Sequence, residues 1–80
     1  MDLETEEIQL LLADEHLELA EGRIQNQERI IQELERDGHD TVLALKLLGT
    51  MRETRLVMLG HRDCVVASIE RLKRLPAGGG

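Results

Sequence analysis

Three histidines and one cysteine are the side chains of this sequence with the greatest capacity for metal or redox chemistry. His61 and Cys64 are three residues apart, a spacing that places two ligands on one face of a helix, while His16 and His39 are remote in sequence. The sequence lacks a second cysteine and the Glu-x-x-His pattern of di-iron bundles, so we predict no metal site. Redox switching through Cys64 would need an intermolecular disulfide, and an inert cysteine is the simpler interpretation.

Motifs for catalysis and cofactor binding are missing from the sequence. It contains no glycine-rich phosphate loop and no Gly-x-Ser-x-Gly elbow. The 16 acidic residues are distributed along predicted helix faces instead of converging on one point. The sequence therefore predicts a protein that is not an enzyme and binds no cofactor.

Basic side chains in the second half of the chain offer an alternative function, RNA binding by a dimeric helical hairpin. They are Lys46, Arg52, Arg55, Arg62, Arg71, Lys73 and Arg74. The sequence has no Phe, Tyr or Trp to stack on bases, and neighbouring carboxylates would repel phosphate. Nucleic acid is therefore not the predicted partner.

Length and composition restrict the fold that must position these groups. Eighty residues form one small domain with a marginal core, and an apolar content without aromatic rings favours helices over a β-sandwich. The sequence has no apolar run long enough to span a membrane and no recognisable secretory signal. A single cysteine fits a reducing compartment, so we expect a cytoplasmic protein.

The pattern of apolar residues and breaks predicts an all-α fold, an antiparallel two-helix hairpin within residues 1–75. We expect helices over about 4–37 and 41–75 and a turn at 38–40, where Gly38 closes the first helix and Asp40 or Thr41 caps the second. Gly22 lies within the first helix and could mark close packing or a bend. Pro76 then starts a flexible Gly-rich tail, residues 76–80.

Seven-residue rows of apolar side chains give each helix a coiled-coil seam. Folding the chain at Gly38 makes residues face each other when their numbers sum to about 78. The predicted internal seam consists of Leu10, Leu17, Ile24, Ile31, Leu48, Met51, Met58, Val65 and Ile69.

Charge supports the same antiparallel pairing. Residues 1–40 carry 13 acids and 3 bases, net −10, and residues 41–80 carry 3 acids and 7 bases, net +4. We expect Arg55 and Arg62 to reach Glu21, Asp14 or Glu18. The acidic start of the chain should lie beside Arg71, Lys73 and Arg74.

Apolar side chains outside the seam predict an interface. Because two helices can bury only one stripe each, a lone hairpin would leave these residues in water. The sequence therefore predicts a homodimer that forms a four-helix bundle, with another helical protein as the alternative partner. The predicted interface residues are Leu12, Leu19, Leu45, Leu56, Leu59 and Val66.

The turn and the helix after it resemble a family of small uncharacterised helical-hairpin proteins of rhizobia and related alphaproteobacteria. The residues that carry the resemblance are Ala20-Glu21-Gly22, Ile24, Gln27, Ile30, Leu34, Gly38-His39-Asp40-Thr41, Ala44, Leu47-Leu48, Glu53-Thr54 and His61-Arg62. Met51 stands where the family would have an aromatic residue. The resemblance implies a bacterial, cytosolic protein with a regulatory or adaptor role. The Gly38–Thr41 motif is either a structural turn or a partner site.

Overall fold

Two long antiparallel helices make up the protein. The computed structural model describes residues 2–75, with α1 spanning Leu3–Arg36 and α2 spanning Val42–Lys73. The prediction of an all-α antiparallel hairpin is confirmed, and the helix ends differ by one or two residues from those expected. The predicted tail, residues 76–80, lies outside the described residues.

Helix α1 begins at a side-chain cap. The Thr5 backbone N–H donates to Asp2 Oδ1 at 2.8 Å, which satisfies one of the free N–H groups of the first turn. This hydrogen bond from the Thr5 backbone is the main cause that holds the pKa of the Asp2 carboxyl below its usual value. Glu4 and Glu6 follow in the first turn, where negative charge is favourable beside the helix dipole.

The connection between the helices is a Schellman turn followed by an aspartate cap. The His39 N–H donates to the Leu34 carbonyl at 2.8 Å and the Gly38 N–H to the Glu35 carbonyl at 3.1 Å. Gly38 has a φ of 77°, in the left-handed region that a glycine adopts without strain. The Val42 N–H then donates to Asp40 Oδ1 at 2.9 Å, so Asp40 supplies the side-chain cap and Thr41 does not.

The predicted seam forms the interface between the helices. Its nine residues are all buried or half-buried, and Ile24, Ile31 and Leu48 form a cluster against which Ala44 and Met51 pack. This confirms the predicted core positions. No side chain of residues 2–75 is less than 2% exposed, because two helices alone cannot enclose a core.

One polar side chain crosses the seam near the turn. Gln27 is 7% exposed, and its Nε2 donates to the Ala44 carbonyl at 3.0 Å. The rule that facing residue numbers sum to about 78 predicts Met51 opposite Gln27, so the amide reaches toward the turn. A buried amide needs such a partner, and the hydrogen bond also fixes how far one helix can slide along the other.

No helix within residues 2–75 is both long enough and apolar enough to cross a membrane.

Candidate partner-binding surface

Apolar side chains cover much of the outside of the hairpin. Within residues 2–75, twelve large hydrophobic residues are exposed, whereas six hydrophobic residues are buried. The accessible surface of the chain is 6142 Å². A compact monomer of this mass exposes about 4,900 Å². A two-helix hairpin exposes more surface than a compact fold of the same mass, because two helices alone cannot enclose a core.

Ion pairs between the helices identify one side of the hairpin. They are Arg52–Glu28 at 3.3 Å, Arg55–Glu21 at 2.8 Å and Arg62–Asp14. The pairing of Arg55 with Glu21 and of Arg62 with Asp14 confirms the sequence prediction. The three carboxylates are seven residues apart and therefore lie in one row along α1. We call this side the ion-pair flank.

Four of the six predicted interface residues lie on the ion-pair flank. Leu45, Leu59 and Val66 are separated from Arg52 by multiples of seven residues, so they share its row on α2. Leu56 lies one row further out and is 63% exposed. These side chains form an apolar strip that starts near the turn and extends to Val66, interrupted by Gly49, Arg52 and Asp63.

The remaining two, Leu12 and Leu19, lie on the opposite side of the hairpin. Leu19 is four residues before Arg23 and therefore its neighbour on the helix surface. Arg23 lines a groove with Thr50 and Thr54, away from the ion pairs. We call this side the cysteine flank, because Cys64 also lies on it. The structure thus divides the predicted interface into two separate surfaces.

Leu11 is a residue of the ion-pair flank that was absent from the predicted interface. It is 60% exposed and lines an open groove with Leu17, Leu59 and Arg55. Its position beside the row of ion-paired acids could have identified it, since helical spacing places Leu11 on the same side as Asp14.

The same groove holds an unsatisfied donor. Arg55 Nη1 donates to Glu21 Oε2, but Arg55 Nε is buried and has no hydrogen-bond partner within residues 2–75. A buried N–H without a partner costs free energy of desolvation, which the ion pair with Glu21 offsets in part.

The cysteine flank has another groove, nearer the open end of the hairpin, which is lined by His61, Cys64, Arg71 and Glu6. Cys64 is exposed, as are His16 and His39 elsewhere on the hairpin. No group of three or more potential metal ligands converges anywhere in residues 2–75.

Glu6 was not predicted as a seam residue, yet it is only 3% exposed. It continues the seven-residue row of Ala13, Ala20 and Gln27, so the heptad spacing alone could have identified it. Its charge argued against that assignment, because carboxylates are rarely buried without a partner.

The acidic start of α1 and the basic end of α2 form no ion pair within the described residues. Arg71, Lys73 and Arg74 are all exposed, and Arg74 Nε donates to the backbone carbonyl of Glu70. Glu6 and Arg71 line one groove, so the acidic start of the chain lies beside Arg71 as expected, but without an ion pair.

The turn motif is explained by backbone structure. Gly38 and Asp40 make the bonds described above, whereas the imidazole of His39 is exposed and makes no hydrogen bond within residues 2–75. A partner site at Gly38–Thr41 stays a prediction.

Comparisons with protein-family models, with curated proteins and with solved structures gave no match. The resemblance to the alphaproteobacterial family accordingly stays a prediction.

Proposed function

We propose that this chain is a non-enzymatic protein–protein interaction module, a small regulatory or adaptor protein that works as a homodimer of helical hairpins in the cytoplasm. The observation that carries the proposal is the strip of exposed leucines, Leu45, Leu56 and Leu59, along a hairpin with a thin core. Burying apolar surface contributes about 25 cal/mol per Å², so association supplies stability that a single hairpin lacks.

The contacts of the basic residues favour this proposal over RNA binding. Arg52, Arg55 and Arg62 lie against carboxylates of α1, which lowers the positive potential available to phosphate. A dimeric RNA-binding hairpin would have to rely mainly on Arg71, Lys73 and Arg74.

Equilibrium sedimentation over a wide range of concentrations tests the proposal. We expect a mass of twice 9.1 kDa and a thermal midpoint that rises with protein concentration, because dissociation accompanies unfolding. A folded monomer that is unchanged by concentration would contradict the homodimer.

Two neighbouring variants identify the surface that is used. Leu56 and Val57 are 63% and 74% exposed but point to different sides of α2, so Leu56→Lys and Val57→Lys are matched changes. We expect Leu56→Lys to dissociate the dimer and Val57→Lys to leave it intact. The reverse result would place the interface on the cysteine flank.

A mobility assay at low salt tests the RNA alternative, since electrostatic binding is strongest there. We expect no shift of RNA. A shift that is lost when Arg71, Lys73 and Arg74 are replaced by Ala would favour the alternative function.

A further inference from the structure

Helix α2 carries two seams. The first faces α1, and the second runs along the ion-pair flank with the same alternating spacing of three and four residues. Its members are Val42, Leu45, Gly49, Arg52, Leu56, Leu59, Asp63 and Val66. We call this set the outer seam. Residues of the outer seam come one position after residues of the first seam, as Gly49 follows Leu48 and Leu59 follows Met58. Because each residue turns the helix by about 100°, the outer seam lies about 100° around the helix axis from the first seam.

This angle suits a four-helix bundle. A helix at one corner of a square bundle contacts two neighbours in directions about 90° apart. In α2 one of those directions is occupied by α1, and the other is open to solvent, with Leu45 and Leu56 at 49% and 63% exposure. The second direction therefore has the spacing and orientation of a helix–helix contact.

The outer seam is self-complementary about its middle. Arg52 lies four residues before Leu56, and Asp63 lies four residues after Leu59. If two copies of α2 pack antiparallel about a two-fold axis between Leu56 and Leu59, each Arg52 faces Asp63 of the second copy. Leu56 of each copy then faces Leu59 of the other, so the charged and apolar positions match in the central part of the seam. Further out, Leu45 lies opposite Glu70.

Gly49 supports the same register. A side chain at Gly49 would meet nothing within 4 Å in the hairpin, so packing within one chain gives no reason for a glycine. In the two-fold arrangement Gly49 faces Val66 of the second copy. A small residue opposite a larger one is the pairing that closely packed helices prefer.

Both charged residues are available for this contact. Arg52 touches Glu28 at 3.3 Å with half of its side chain exposed, which leaves donors free. Asp63 is exposed and forms no ion pair within residues 2–75.

We propose that a second copy of this chain binds along the outer seam, with α2 packed antiparallel on α2 and two Arg52–Asp63 ion pairs fixing the register. This rests on the proposed homodimer and adds the surface, the direction and the pairing of residues. The apolar strip holds the two copies together, and the ion pairs select one alignment.

Charge reversal tests the pairing. Arg52→Asp gives a chain with acids at both positions, and Asp63→Arg gives one with bases at both. We expect each variant alone to dimerise about tenfold or more weakly than the unaltered chain, since four like charges then meet at the interface. Mixing the two variants should restore dimerisation, because every contact again joins opposite charges.

Native mass spectrometry follows the mixed dimer, whose mass differs from that of either homodimer. Circular dichroism confirms that each variant is helical. Lys46→Asp and Glu53→Arg are control variants, since Lys46 and Glu53 lie on the outermost row of α2, and we expect both to dimerise like the unaltered chain.

Each other result overturns the pairing in a distinct way. If both reversed variants dimerise normally, the homodimer stands but uses another surface. If each is weakened and the mixture is not restored, the register is wrong. If the unaltered chain is a monomer, the homodimer itself fails, and the outer seam serves some other helical partner or none.

Discussion

The two ends of the hairpin share one seam geometry but differ in what fills it. At the closed end, beside the turn, Ile24, Ile31 and Leu48 form a continuous apolar cluster. At the open end, where α1 begins and α2 ends, the buried positions include the small Ala13 and the acidic Glu6. The difference teaches that heptad spacing decides which residues face the partner helix, while side-chain chemistry decides how strongly they hold it.

This contrast implies a gradient of stability along the hairpin. The closed end combines the cluster with a Schellman turn and the Gln27–Ala44 hydrogen bond, and its contacts join residues close in sequence. Contacts at the open end close longer loops and include a charged group, so local opening should start there.

Two isoleucines with nearly equal burial test the gradient directly. Ile31 is 6% exposed within the closed-end cluster, and Ile69 is 7% exposed at the open end. We expect Ile31→Ala to lower the free energy of unfolding by about 4 kcal/mol and Ile69→Ala by about 2 kcal/mol. The smaller loss reflects an end that can relax around the missing atoms.

Chemical denaturation followed by circular dichroism at one fixed protein concentration measures both losses. Equal losses at the two positions would show that the seam is uniformly packed and that the gradient does not exist.

Replacing Glu6, the acidic residue of the seam, should reduce the contrast between the ends. Glu6 is 3% exposed and has no side-chain hydrogen bond or ion pair within residues 2–75. Glu6→Leu extends the apolar seam but removes a favourable negative charge from the first turn of α1, so we expect stability to rise by about 1.5 kcal/mol. Hydrogen exchange should slow most at the open end.

Glu4→Leu is the matched control for this change. Glu4 is exposed in the same helical turn, so Glu4→Leu loses the same favourable charge without gaining burial, and stability should fall by about 0.5 kcal/mol. A loss of stability in Glu6→Leu would mean that the carboxylate has an essential partner at this end.

The hairpin could be predicted from sequence because its signals are local or periodic. Gly38 marks the turn, and the rows of Leu and Ile mark the seam, so both helices and the two Arg pairings followed from spacing. The side of the hairpin on which each exposed leucine lies could not be predicted from these signals. Leu12 and Leu56 are both outside the seam, but assigning them to a side requires the neighbour relations of packed helices.

Polar residues inside the seam were the other difficulty. Gln27 finds its partner in a backbone carbonyl of the other helix, and such a bond depends on an exact axial offset that a seven-residue repeat does not specify. Glu6 obeys the repeat but violates the expectation that charged groups avoid burial. For both residues the heptad position predicts burial and the polar side chain predicts exposure, and the structure follows the heptad position.

The smallest expected effects come from glycines, and they have opposite signs. Gly38 has a φ of 77°, so Gly38→Ala strains the turn and should lower stability by about 1 kcal/mol. Gly22 lies inside the uninterrupted helix α1, where an added methyl group meets nothing within 4 Å. The close packing considered for Gly22 is therefore absent within the hairpin, and Gly22→Ala should raise stability by about 1 kcal/mol.

Thermal unfolding of the two variants and the double variant measures these effects. Because the two sites share no contact, the two changes in stability should cancel in the double variant. If Gly38→Ala were neutral, the closed end would owe its stability to the apolar cluster and the Gln27–Ala44 hydrogen bond, and the turn would contribute nothing to the difference between the ends.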